Sequence, residues 1–272
     1  MAAWDFTCAA VSVESHVATV TLAATGKANR MGPEYWAQIP ALFTRLDMDD
    51  DVRSVVLRGA GQHFTFGLDL AGMAGELAAL ISSDAGAPER KHFLDTIRQM
   101  QQSNNTVARC RKPVIAAIDG WCIGGGIDLI SACDVRICTQ AAKFSVREVK
   151  LAMVADLGTL ARLPRIIGEG HSRELAYTGD DIDAARALRI GLVSDVYPTA
   201  DALFEAARAL ATRIAKNSPL VVQGIKEVMN AASEPAAQQG LATVALWNAA
   251  FLPSKDLQEA ITAFMEKREP RY

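Results

Sequence analysis

The chain has 272 residues, half of them hydrophobic and 22% charged, which excludes an intrinsically disordered protein. At this size folding buries roughly 73% of the accessible surface, enough for a core without disulfides or a structural metal. The formal net charge of −3 lacks the basic excess of a dedicated nucleic-acid binder, so no nucleic-acid partner is expected.

In chain order, the first sixteen residues have no Lys or Arg ahead of their apolar positions, and Asp5 interrupts them. A secretory or transit leader is therefore not expected. The chain does not end in S-K-L, and no apolar run approaches the ~18 residues of a membrane span. These readings predict a cytoplasmic protein with no membrane partner. Val17 to Leu22 alternates as a half-buried strand does, and Val52 to Arg58 reads as a second strand. Pro33 can open a helix carrying Trp36 and Leu42, and Pro40 predicts that this helix is kinked or broken. Ala71 to Arg90, punctuated by Gly72, Gly75, Gly86 and Pro88, reads as a mobile loop. Val114 to Ile118 is a continuous apolar run after Pro113, as in a strand covered on both faces. Val135 to Thr139 and Val193 to Tyr197 read as further strands. Ala202 to Lys216 and Asp256 to Lys267 carry helical apolar stripes. The pattern is mixed before about residue 200 and nearly all helical after it. The predicted class is α/β, with a core over 1–200 and a C-terminal helical region over 201–272. The five cysteines form no C-x-x-C pair and predict reduced, mostly buried thiols.

Several chemistries are excluded by motif. There is no G-x-x-x-x-G-K-[ST], H-E-x-x-H or G-x-S-x-G, and Leu129 stops Gly124 to Gly126 from continuing as G-x-G-x-x-G. The four histidines are scattered, so neither a metal site nor a histidine triad is expected. Two glycine turns remain. In KPVIAAIDGWCIGGGIDLISACD a strand runs into three glycines and a helix start, where unpaired amides face outward and suit an anion or a developing oxyanion. In GQHFTFGLDL a second turn follows the strand ending at Arg58, with Asp69 placed to cap a helix. Each turn is read equally well as a tight structural turn. Asp128, Glu148 and Asp156 complete the set. Asp156 lies among Met153, Val154, Ala155 and Leu157, company that raises a carboxyl pKa toward neutrality. Any one of the three also reads as a helix cap or a salt-bridge partner.

Taken together, SVVLRGAGQHFTFGLDL, KPVIAAIDGWCIGGGIDLISACDVRI, ELAYTGDDIDAARALRIGLVSDVYP and SPLVVQGIK resemble the enoyl-CoA hydratase/isomerase (crotonase) superfamily over nearly the whole chain. The resemblance implies a crotonase-like spiral of ββα units, with residues 201–272 as a trimerisation region and a homotrimer or dimer of trimers as the assembly. It implies an acyl-CoA substrate and no separate cofactor, coenzyme A being part of the substrate. It places the thioester oxygen between the backbone amides of Leu68 and Gly125, where each aligned donor is worth about 3 kcal/mol in the transition state.

The acids point to a subtype. Hydratases of the superfamily usually have Glu at positions 128 and 148 and Gly at 156; this chain has Asp, Glu and Asp. The set and its surroundings, VREVKLAMVADLGTLARLP, are similar to those of Δ3,5-Δ2,4-dienoyl-CoA isomerases. That resemblance implies proton removal from C2 by Asp156, delivery to C6 by Glu148, and Asp128 beside Glu148 as a like charge that keeps it protonated. The alternatives are an enoyl-CoA hydratase or Δ3-Δ2 isomerase using Glu148, and a non-catalytic relative that binds acyl-CoA or a macromolecule. For substrate binding the resemblance implies Lys27, Phe66 and Gly67, with Phe264 and Lys267 supplied by a neighbour's C-terminal helix. Phe264 and Lys267 read equally as a core Phe and a solvated Lys.

Overall fold

The computed structural model describes residues 4–23, 29–73, 75, 82 and 85–272. Two sheets organise them. The larger has six strands in the order β1-β2-β3-β4-β6-β9: β1 (Ala9–Glu14), β2 (Val17–Leu22), β3 (Ser54–Gly59), β4 (Val114–Ile118), β6 (Val135–Thr139) and β9 (Asp195–Tyr197). The β1/β2 hairpin is antiparallel and every later pairing is parallel. The smaller sheet joins β5 (Trp121–Ile123), β7 (Lys143–Ser145) and β8 (Asp181–Asp183).

Two large-sheet strands lead into short strands of the small one. β4 turns at Gly120 into β5 and then into helix α3 (Gly125–Ser131), and β6 leads into β7 and a 3-10 turn at Glu148–Leu151. Thr65, after β3, bridges Cys122 of β5 in the same way. The chain thus climbs as a spiral of ββα units.

β4 explains how the layers close. All five of its residues are buried. Successive side chains point to opposite faces, so Val114, Ala116 and Ile118 enter one core while Ile115 and Ala117 enter another. The first core is roofed by α1 (Pro33–Met48) and by α3, the second by α7 (Ala200–Ala215). Leu203, Ala207, Ala211 and Ala215 lie four apart along α7 and are all buried. Three of these four side chains are alanine, so the helix axis sits close to the sheet. The first helix after the composition shift therefore packs directly on the sheet.

Further helices among the described residues are α2 (Ala87–Arg109), α4 (Thr159–Ile167), α5 (Glu169–Thr178), α6 (Ala184–Arg189), α8 (Pro219–Phe251) and α9 (Lys255–Glu266). A third core joins Phe93, Leu94 and Ile97 of α2 to Ala245 and Ala249 of α8 and Leu257 of α9. It brings the C-terminal helices to the side of the molecule where Met153 packs.

Some expectations change. α1 runs unbroken through Pro40. Its stripe of Tyr35, Trp36, Ile39, Leu42, Phe43 and Leu46 is buried on both sides of the proline, and that packing outweighs the single lost backbone hydrogen bond. The loop expected over residues 71–90 ends earlier, because Ala87 starts α2 and Pro88 sits in its first turn, where no N–H is needed. Residues 74, 76–81 and 83–84 of that stretch, like Lys27, lie outside the described residues. All five cysteines are free and buried.

Candidate active site

Two loops meet at the carboxyl ends of β3 and β4. The first is held by Asn29, whose side-chain NH2 donates to the carbonyls of Ala60 (2.8 Å) and His63 (2.8 Å). Thr65 Oγ1 donates to the Asn29 carbonyl (2.6 Å) and accepts from the Gly67 amide (3.1 Å). Met31 then bridges the next stretch: its N–H donates to the Gly67 carbonyl and its carbonyl accepts from the Asp69 N–H. This pattern occupies the amides on either side of Leu68 and turns the Leu68 N–H away from Met31.

The second loop is the glycine triplet. Gly124 has φ +54°, a left-handed conformation that disfavours a side chain. Its N–H donates to the Ser145 carbonyl (3.0 Å). Gly125 follows as the first residue of α3, so its amide has no intrahelical acceptor. The loops touch at backbone level. Gly67, at φ +73°, is so close to the triplet that a Cβ there would lie 2.5 Å from the Ile123 carbonyl and 2.9 Å from the Gly125 nitrogen. A Cβ on Gly125 would lie 3.7 Å from the Leu68 nitrogen. Neither the Leu68 nor the Gly125 amide has an acceptor among the described residues. The corner thus brings together two unpaired N–H groups and the positive end of α3.

Three carboxyls line the same region. Asp128, in the first turn of α3, is only 1% exposed, and its Oδ1 accepts the Thr159 amide at the start of α4 (2.6 Å). Glu148 opens the 3-10 turn. Its Oε1 is 3.3 Å from the position of a Cβ on Gly124, and its Oε2 is buried without a partner. Asp156 lies on the stretch between that turn and α4. Its Oδ2 accepts Asn248 Nδ2 (2.7 Å), and the same nitrogen donates to the Val154 carbonyl (2.8 Å). Gln101 and Asn104 of α2 hold this stretch through the carbonyls of Asp156 (2.7 Å) and Leu157 (3.0 Å).

Their environments grade the three acids. Burial pushes the Glu148 carboxyl up to about 8, and the charges of Asp128 and then Asp156 add to the rise. Burial lifts Asp156 to about 7, opposed by the Asn248 amide. Burial lifts Asp128 to about 6, opposed by the Thr159 amide and the charge of Arg162. As pH rises Glu148 is the last of the three to release its proton, the order expected of an acid working opposite a base.

Of the other expected residues, Phe66 packs edge-on to His63 (5.1 Å between ring centroids) immediately before Gly67. Phe264 and Lys267 sit at the C-terminal end of α9. Phe264 is 67% exposed, and no hydrogen bond or ion pair joins either side chain to the three acids. Asn248, Thr159 and the two α2 amides had not been singled out in the sequence. Their one signal was polarity on an otherwise apolar helix face, as at Gln101 and Asn104 beside Met100 and Val107.

The sequence model of the enoyl-CoA hydratase/isomerase family matches residues 12–272. The chain belongs to this family. It is 46% identical to a mitochondrial Δ(3,5)-Δ(2,4)-dienoyl-CoA isomerase of Dictyostelium discoideum, over 93% of this chain and 86% of the relative. It is 42% identical to a peroxisomal protein of the same name from Arabidopsis thaliana, over 90% and 88%. The fold matches the crystal structure of an enoyl-CoA hydratase/isomerase from Pseudoalteromonas atlantica with a TM-score of 0.85, at 24% identity and covering 97% and 99% of the two chains. The crotonase-like α/β spiral is therefore the family's fold. The cytoplasmic expectation is corrected, since these family members are named as mitochondrial and peroxisomal. Compartment is addressed by short segments that take no part in the core, so composition and folding pattern do not carry it. Among the described residues no helix is long and apolar enough to cross a membrane.

Proposed function

We propose that this protein is a Δ3,5-Δ2,4-dienoyl-CoA isomerase. The observation that carries the reading is the presence of two half-buried acids of different proton affinity, Asp156 and Glu148, on separate backbone segments beside one pair of unpaired amides. The relatives of that name at 46% and 42% identity support it.

In this reading the thioester oxygen of a 3,5-dienoyl-CoA accepts the Leu68 and Gly125 amides. Asp156, ionised, removes a proton from C2. The electron pair spreads through the diene as a trienolate and places negative charge on the thioester oxygen, where the two donors and the α3 end stabilise it. Glu148 gives its proton to C6, and the electrons settle as the 2,4-diene. One proton leaves and one arrives, and exchange then restores the resting states of the two acids. C2 and C6 are four bonds apart, which is why one carboxyl cannot serve both without moving. Asp128 contributes the charge that keeps Glu148 protonated. Phe66 and Gly67 border the bound thioester. No cofactor enters, because coenzyme A arrives with the substrate.

We also read the exposed Leu220, Val221, Ile225, Val228 and Met229 of α8 as a contact between copies, in keeping with a homotrimer or dimer of trimers. Sedimentation equilibrium tests that assembly, and a monomer at micromolar concentration refutes it. The activity is tested by offering one preparation a 3,5-dienoyl-CoA and a 2-enoyl-CoA. The expected result is the longer-wavelength absorbance of a 2,4-dienoyl thioester from the first. A hydroxyacyl product from the second, with no diene shift from the first, would replace the isomerase by a hydratase.

A further inference from the structure

The stretch that carries Asp156, residues 152–158 between the 3-10 turn and α4, belongs to neither sheet. Its backbone is held by side-chain amides instead. Asn248 Nδ2 of α8 donates to the Val154 carbonyl (2.8 Å), Gln101 Nε2 of α2 to the Asp156 carbonyl (2.7 Å), and Asn104 Nδ2 of α2 to the Leu157 carbonyl (3.0 Å). Gln101 Nε2 also donates to the Leu241 carbonyl of α8 (3.0 Å), so the two helices grip the stretch together. All three amide side chains are buried. A buried amide costs free energy unless it is hydrogen-bonded, so three of them directed at one irregular stretch hold it in a single place.

Of the three, Asn248 also reaches the carboxyl. The nitrogen that holds Val154 donates to Asp156 Oδ2 (2.7 Å). Its helix cannot turn, because Ala245, Ala249 and Leu252 on the same face pack in the third core with α2, and Met153 of the Asp156 stretch packs on that core as well. The donors are uncharged. The cation that follows on α4, Arg162, is engaged elsewhere: its Nη2 donates to Asn105 Oδ1 of α2 (2.8 Å) and to Glu234 Oε1 of α8 (3.1 Å). A cation paired with Asp156 would hold its charge and weaken it as a base. A neutral amide fixes the same carboxyl at a smaller loss of basicity.

We propose that Asn248 is a positioning residue for the reaction: by holding Oδ2 of Asp156 against the backbone of its own stretch, it leaves Oδ1 as the oxygen that takes the C2 proton and fixes where that oxygen stands. No side chain among the described residues donates to Oδ1. The C2–H bond breaks toward it, Oδ1 gains the proton, and the electron pair stays with the trienolate. Asn248 itself touches no reacting atom. The inference rests on the isomerase reading, and its test separates the two.

Asn248→Ala should lower kcat for a 3,5-dienoyl-CoA by about 10- to 100-fold and leave KM within about threefold of the wild type. Asn248→Leu fills the same space without offering a donor and should be equally slow. In an Asp156→Asn background, Asn248→Ala should lower turnover no further, because the oxygen it positions is no longer a base. Wild-type kcat in the alanine variant, recovery in the leucine variant, a loss that appears in KM, or a second full loss in the double variant overturns the proposal. NMR of the nitrogen-labelled, substrate-free protein reads the contact without turnover. The Asn248 side-chain NH2 signals should shift when Asp156 is replaced by Ala. Unmoved signals overturn the proposal even if neither Asn248 variant folds. Absence of 3,5-diene turnover by the wild type would remove the isomerase reading, while the NMR signals still decide whether Asn248 holds Asp156.

Discussion

Glu148→Gln tests the electrostatics of the site through stability, without substrate. In the unfolded chain this carboxyl titrates near its ordinary value of 4.5, and in the folded protein burial beside Asp128 holds it at about 8. Between those two pH values the folded protein keeps a proton that the unfolded chain has released. Stability must therefore fall as pH rises across that window, by about 1.4 kcal/mol per unit. At pH 7 the accumulated cost is about 3 kcal/mol. Glutamine has nearly the same shape and ionises in neither state, so it carries no such slope. It also leaves Asp128 and Asp156 almost unperturbed, because Glu148 is already neutral in the folded protein at that pH. Urea unfolding of both proteins at fixed ionic strength reads the difference. The variant should match the wild type near pH 5 and exceed it by about 3 kcal/mol at pH 7. Parallel stability curves, or a gap that narrows as pH rises, would show that Glu148 titrates as an ordinary surface acid and would remove the basis for its role as proton donor.

Asp156→Asn removes the base and should lower 3,5-dienoyl-CoA turnover by at least about 100-fold; near-normal turnover would exclude Asp156 from that role. Asn248→Ala removes the amide that donates to Asp156 Oδ2 and opposes its raised pKa. The acid limb of kcat/KM, expected near the Asp156 value of about 7, should therefore move to higher pH, and a limb that stays or moves down would contradict the geometry. Gly67→Ala forces a side chain into left-handed backbone and toward the Ile123 carbonyl, so unfolding should become easier by at least about 2 kcal/mol. A Tm within a degree of the wild type would show that the two loops are not in backbone contact.

How the fold was legible differs from strand to strand and helix to helix. β4 was readable because a strand buried on both faces needs five consecutive small or branched apolar residues, and Val114 to Ile118 is such a run. β5, β7 and β8 have three residues each, too few for a period of two to stand out, and their existence depends on pairing with one another. Pro40 does not break α1, because propensity counts one missing hydrogen bond whereas α1 is held by six buried side chains on one stripe. α2 was hidden because Gln101, Asn104 and Asn105 interrupt its apolar face. Those polar side chains belong there because they hold the Asp156–Leu157 stretch and, through Asn105, Arg162.

The amino-acid order alone determined the glycine turns, the three acids and the family. Each of these is a local pattern, and local patterns reflect backbone sterics and side-chain chemistry. Only the tertiary structure decided the proton affinity of each acid. Asn248 lies 92 residues beyond Asp156, and Glu234 lies 72 residues beyond Arg162. Burial and charge act through space, so the order in which a carboxyl gives up its proton is set by neighbours that the chain supplies from far along its length.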